Sequence, residues 1–150
     1  MTVRICRTRE DTVALGVELA GVLRAGDLVV LTGPLGAGKT ALTQGIGAGL
    51  GVNGRVTSPT FVIARVHGGP LPLVHVDAYR LQGSGPVDLD DLDLDLELER
   101  SVVVVEWGEG VVEQLSDSHL EVTLAREDDD TRTIRVVGVG PRWETAQPLL

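Results

Sequence analysis

Three residue types that usually carry information are nearly missing from this chain. Cysteine occurs once (Cys6), lysine once (Lys39), and aromatic residues four times in 150 positions. A lone thiol closes no internal disulfide and makes no zinc site by itself. No apolar run approaches the ~20 residues of a membrane span. The opening Met-Thr-Val-Arg-Ile-Cys-Arg also lacks the apolar core of a secretory signal. These absences predict a soluble, reduced, cytoplasmic protein with no membrane partner. Basic charge is scarce too, with 13 Lys and Arg against 22 Asp and Glu, a net charge of −9. Nucleic-acid binders present a basic face, whereas here the basic residues are scattered. Any contact with RNA is therefore expected only indirectly, through a partner.

What is present suits one enzyme-sized domain. Hydrophobic residues make up 43% of the chain, and glycine, at 19 of 150, is well above common usage. Residues 2–6 alternate as a strand does. Thr8 and Asp11 have the spacing of a capping box, and Val13, Gly16/Val17, Ala20 and Leu23 recur at helical spacing until Ala25-Gly26. Leu28-Val-Val-Leu-Thr32 is a continuous apolar run, which predicts a buried strand. A glycine-rich loop over 33–38 leads into a helix over 40–50 that Gly51 stops. Residues 61–66 and 73–76 flank His67-Gly-Gly-Pro70 as a hairpin. A further strand covers 102–106, and a second hairpin pairs 120–125 with 131–137 around Glu127-Asp-Asp-Asp130. The pattern predicts an α/β, three-layer fold with a mainly parallel central sheet and antiparallel hairpins. It reads as a single domain over 1–150, with 138–150 as a C-terminal tail that Trp143 pins to the body. Residues 88–99 hold seven acids alternating with leucines. Asp is a poor strand former, so this segment is expected to be a solvated loop with a short helix.

Gly33-Pro-Leu-Gly-Ala-Gly-Lys-Thr40 matches the phosphate-loop pattern GxxxxGK(S/T) in full, between a predicted strand and a predicted helix. Glycines let consecutive N–H groups curl around a phosphate, and the helix N-terminus adds its positive end. The chain uses Arg at its twelve other basic positions, so Lys39 marks a site that needs a compact point charge rather than a planar fork. Lys39 is expected on the β- and γ-phosphates and the Thr40 hydroxyl on magnesium. The nucleotide cradle is expected to comprise Gly33, Leu35, Gly36, Ala37, Gly38, Lys39, Thr40 and Ala41.

Magnesium needs an acidic partner, and two apolar strands end in one: Val102-Val-Val-Val-Glu106 and Leu73-Val-His-Val-Asp77. Strand alternation puts His75, Asp77 and Tyr79 on one face. At least one of the two carboxylates is expected at the metal, although an acid at a strand end is often just a solvated terminus. Thr57-Ser-Pro-Thr-Phe61 offers hydroxyls in a proline-fixed turn that could sense a γ-phosphate, or simply a turn before a strand. Guanine-specific GTPases read their base with Asn-Lys-x-Asp. The single lysine is already in the phosphate loop, so ATP and its product ADP are the expected nucleotides. His67 and His119 have no metal-ligand spacing and are expected at the surface or in loops.

These segments, in this order, resemble the bacterial TsaE (YjeE) ATPases of tRNA threonylcarbamoyladenosine synthesis. The resemblance rests on the phosphate loop, Thr57-Ser-Pro-Thr-Phe61, His75-Val-Asp-Ala-Tyr-Arg80 and Glu106-Trp-Gly-Glu109. It implies an ATPase that works with TsaD-like and TsaB-like partners, TsaD being the one that transfers a threonylcarbamoyl group to an adenosine beside the tRNA anticodon. It also implies that Thr40 and Glu106 hold Mg2+, that Asp77 lies near the reacting phosphate, and that residues 8–12 sit by the adenine. The acidic segment and the Trp143 tail depart from the family pattern.

The expected chemistry is hydrolysis by water attacking the γ-phosphate. Lys39 and the loop N–H groups would stabilise charge, while Asp77 or Glu106 would orient or deprotonate the water. Arg55 and Arg80 are arginine-finger candidates only by proximity to motifs. Two rival readings are a small-molecule kinase and a binding module in which nucleotide occupancy alone switches a partner.

Overall fold

The computed structural model describes residues 1–34, 36–54, 56, 64–77, 99–106 and 116–144, with Ala64 and Asp77 described by their backbone alone. In chain order the elements are β1 (Thr2–Cys6), α1 (Arg9–Ala20), β2 (Leu28–Thr32), α2 (Lys39–Leu50), β3 (Ala64–His67), β4 (Leu73–Asp77), β5 (Val102–Glu106), β6 (His119–Arg126), β7 (Arg132–Val139) and α3 (Pro141–Glu144).

Strands as apolar as β2 and β5 can only sit where both faces are covered, and they form the middle of one sheet. Its order is β1-β7-β6-β2-β5-β4-β3. The strands β4, β5, β2 and β6 run parallel to one another. Antiparallel pairs close the two edges, β3 on β4 and β7 between β6 and β1. This is the α/β architecture that the segment pattern predicts. Val29, Leu31, Val102, Val104, Leu120, Val122 and Leu124 face the helices α1 and α2 in the main core. The opposite face, with Leu28, Val30, Val74, Val76, Val103 and Val105, is buried just as deeply.

Helices α1 and α2 pack with their backbones nearly touching. A Cβ at Gly45 would lie 2.0 Å from the Val13 carbonyl oxygen, and one at Gly16 would lie 2.3 Å from that of Leu42. This approach, rather than side-chain periodicity, sets the buried face of α1. The face is Thr12, Leu15, Gly16, Leu19 and Ala20, while Val17 is exposed, contrary to the expected stripe. The capping box is present: Asp11 N–H donates to Thr8 Oγ1 at 3.1 Å, and Thr8 N–H donates to Asp11 Oδ2 at 3.2 Å. The helix ends at Ala20, five residues before the expected Ala25, because Gly21, Val22 and Leu23 turn their N–H groups onto carbonyls three residues back.

Two further expectations are corrected. The strand β7 runs to Val139, and α3 follows Gly140, so the supposed tail begins inside the fold; Trp143 is buried, as its pinning role requires. Both His67 and His119 are buried, because each sits in a strand built into the sheet rather than in a loop, His67 in β3 against β4 and His119 in β6 against β7. The acidic stretch over 88–98 and the motif segments over 57–61, 78–80 and 107–109 lie outside the described residues, as does 145–150.

Candidate nucleotide site

The site begins where β2 runs out. Gly33 accommodates a close approach by β6, since a Cβ there would lie 2.6 Å from the Leu124 carbonyl oxygen. Gly36 (φ 83°) and Gly38 (φ 103°) hold left-handed conformations that a side chain would strain. Between them the buried Ala37 donates its N–H to the Pro34 carbonyl at 3.1 Å. Gly38 caps α2 without any side-chain hydrogen bond, and the first turn holds no acidic residue. The positive end of α2 thus meets no acid from its own first turn, a condition that suits a helix N-terminus for taking a phosphate. Leu35 lies outside the described residues.

Lys39 opens α2 and is buried; its ammonium curls back onto the carbonyl oxygens of Gly33 and Pro34, the latter at 3.2 Å. The charge therefore lies over the loop. The Lys39 carbonyl accepts from Thr43 Oγ1 at 2.8 Å, which ties the first turn of the helix. Thr40 is half-buried beside it and Ala41 is buried.

Parallel pairing brings the two acidic strand ends together. Asp77 is in register with Glu106, and Glu106 with Leu31 of β2, so Glu106 stands beside the strand that delivers the loop and Asp77 one strand further out. Glu106 is buried, and its Oε2 lies 2.8 Å from Nε2 of the fully buried His75. The contact is within hydrogen-bond distance, and an ionised carboxylate at this position accepts from an imidazole N–H. Nδ1 of His75 has no partner among the described residues. Alternation had placed His75 on the face of Asp77, but nothing local gave it a role; the contact spans two strands.

On the other side of β2, the β6–β7 hairpin brings Arg126 and Arg132 against the loop, and Thr12 of α1 lies alongside. Atoms Arg126 Nη1 and Arg132 Nε lie 3.4 Å and 3.9 Å from where Cβ atoms at Gly36 and Gly38 would stand. No motif announced these arginines. The expected candidates Arg55 and Arg80 are outside the described residues. Cys6, at the end of β1, is buried in the same wall, and burial pushes its thiol pKa up. Among the described residues no three His, Cys, Asp or Glu side chains converge as a metal cage. A magnesium ion that arrives on phosphates needs only one or two protein oxygens, and Thr40 with Glu106 suits that donor set. No helix among the described residues is long and apolar enough to cross a membrane.

A glycine loop at the C-terminal end of a central parallel strand, opening an uncapped helix, defines a phosphate-loop NTPase-like fold. Comparison with known proteins agrees. The crystal structure of Bacillus subtilis YdiB superposes with a TM-score of 0.76 at 34% identity, covering 95% of this chain and 88% of that one. A family profile described as "Threonylcarbamoyl adenosine biosynthesis protein TsaE" matches residues 6–134. Relatives named tRNA threonylcarbamoyladenosine biosynthesis protein TsaE include one from Streptomyces coelicolor, 60% identical over 88% of this chain and 93% of its own length. Another, from Bacillus subtilis, is 39% identical over 90% of this chain and 84% of its own. The chain belongs to the TsaE family.

Proposed function

We propose that this chain is a magnesium-dependent ATPase of the cytoplasm that supports threonylcarbamoyl transfer to the adenosine beside the tRNA anticodon. It would work with TsaD-like and TsaB-like partners and meet tRNA only through them. The observation that carries the ATPase reading is the uncapped N-terminus of α2 beneath two left-handed glycines, with the single lysine folded over it. The tRNA role is supported by the names of the relatives.

In this reading the loop N–H groups of 36–40 bind the β-phosphate, and Lys39 leaves its carbonyl partners to bridge the β- and γ-phosphates. Thr40 and Glu106 would hold Mg2+, which would supply neutralisation of the phosphate charge. His75 holds the Glu106 carboxylate in place from below. Asp77, in register with Glu106, orients the attacking water or takes its proton. A partner-dependent rate is expected, because the phosphate-loop motif and the two acidic strands contain no arginine to meet charge developing on the γ-phosphate.

The test is ATP turnover by the purified chain, alone and with TsaD-like and TsaB-like proteins, alongside rescue of tRNA threonylcarbamoyladenosine in cells lacking the native protein. Release of inorganic phosphate together with rescue supports the proposal. Phosphate delivered to a small acceptor would point to a kinase instead. Rescue by an Asp77→Ala chain that binds ATP without cleaving it would make occupancy, not turnover, the working signal.

A further inference from the structure

One half of the sheet face turned away from α1 and α2 is open. On β2, β5 and β4 that face is closed, with Val30, Val103, Val105, Val74 and Val76 buried. On β6, β7 and β1 it is exposed at Glu121, Thr123, Arg135, Val3 and Ile5. The open half ends at β1, the last strand of the sheet order, which pairs only with β7 among the described residues. We infer that the outer edge of β1 takes an added strand from another protein, a segment with aliphatic residues on one face and acidic residues on the other.

The edge lacks the usual guards. Soluble proteins keep edge strands from pairing with proline, a bulge, a lysine or a covering element. Strand β1 pairs with β7 over five residues without a break in register, and it holds no proline or lysine. Its one charged side chain, Arg4, is turned to the helix side and held by Glu18 of α1 at 2.9 Å and 3.3 Å. Val3 and Ile5 point the other way and are 46% and 64% exposed. Alternation puts both on one face, so an added strand extends that row with its own aliphatic side chains. The rest of the open half is mostly polar, with Glu121, Thr123, Thr133 and Arg135. A helix laid across it would find little to cover its apolar stripe; a strand at the edge needs only the row.

Charge selects the partner. Residues 1–9 hold Arg4, Arg7 and Arg9 and no acid, within a chain of net charge −9. Arg135, opposite Val3 on β7, is exposed and has no ion pair among the described residues. Arginine thus stands near the edge on both faces, and acidic side chains on an added strand meet it. A second copy of this chain fits less well. Antiparallel self-pairing that sets Val3 against Ile5 of the other copy also sets the two Arg4 side chains opposite each other. Like charges so placed destabilise a sheet.

The experiment titrates the full chain with three octapeptides and follows its backbone amides by NMR. One peptide alternates valine and glutamate, and one alternates valine and lysine. The third is the valine–glutamate peptide with a central valine replaced by proline. The valine–glutamate peptide should shift the amides of residues 2–6 and slow their exchange with solvent. It should bind about fivefold to tenfold more tightly than the lysine peptide, the worth of one or two cross-strand charge pairs. The proline peptide should lose that binding, because proline interrupts the backbone ladder. Arg4→Gln should remove most of the preference for glutamate, and Val3→Thr should weaken the peptide, with circular dichroism checking each fold. Should a variant fail to fold, the peptide series on wild type decides. Equal affinity for the glutamate and lysine peptides overturns the inference, as do absent binding and amide shifts confined to other elements. So does a dimer of the chain alone that the peptide dissociates, which would give the edge to a second copy.

Discussion

Lys39 has to serve a dense negative charge in a space bounded by its own loop, and the chain keeps its one ammonium for that position. Lys39→Ala should abolish ATP binding or weaken it severely. Lys39→Arg should do nearly as much harm, because a planar guanidinium does not fit where an ammonium reaches the carbonyls of Gly33 and Pro34; calorimetric titration with magnesium-ATP checks both. The two carboxylates should separate by role. A magnesium ligand contributes to binding, whereas a group acting on water contributes mainly in the transition state. Glu106→Ala should therefore lose magnesium-dependent affinity and turnover together, and Asp77→Ala should bind ATP without cleaving it. The magnesium dependence of ATP binding in each variant reads this directly, and the reverse pattern would exchange the two roles.

Among the elements, α2 bears the tightest constraint. Its N-terminus must present N–H groups at the loop while its glycine face lies on the backbone of α1. Adding a methyl at Gly45, 2.0 Å from the Val13 carbonyl, cannot be absorbed by a rotamer change, because the atom in the way is backbone. Gly45→Ala should cost about 3 kcal/mol through overpacking and should lower ATP affinity as well, since parting the helices moves the cradle. Urea unfolding and nucleotide titration on the same variant test both halves. The stop at the other end is local: Gly51 (φ 76°) turns its N–H onto the carbonyls of Ala48 and Gly47.

At the scale of the whole molecule, chain segments far apart in sequence are pinned together. Arg142 of α3 grips the buried Asp27 carboxylate through Nε at 3.0 Å and Nη2 at 3.1 Å, and donates to the Val22 carbonyl at 3.0 Å. Its guanidinium also stacks 4.1 Å over the Trp143 ring. Arg142→Ala leaves Asp27 buried without its cation and should cost about 3 kcal/mol, read as a lowered thermal midpoint. Because this contact lies at the start of β2 and the loop at its end, ATP affinity at a temperature where the variant is folded should be unchanged. The fold should also weaken in mild acid. Burial, followed by the nearby His75 and Arg65, pulls the His67 pKa below its ordinary value. The unfolded chain then binds the proton more readily, so this contribution is full above the ordinary histidine pKa and is lost as pH falls through the lowered one. The drop in thermal midpoint between about pH 7.5 and about pH 5.5 should be smaller in His67→Gln than in wild type.

The local pattern by itself determined the capping box at Thr8, the buried runs of β2 and β5, the glycine loop with its lysine, the Gly51 stop and both hairpins. Each is settled by residues within a few positions of one another, through backbone torsion, capping or unbroken apolarity. The tertiary structure alone decided which face of α1 is buried, because Gly16 and Gly45 set it by meeting across two helices. Strand pairing likewise took His67 and His119 into the sheet, and joined His75 to Glu106 thirty-one residues away. The same holds for Arg142 on Asp27, at a separation of 115 residues, and for the arginines beside the loop. A carboxylate finds a histidine or an arginine only when the sheet order puts them side by side, and that order is fixed by the burial of all the strands together.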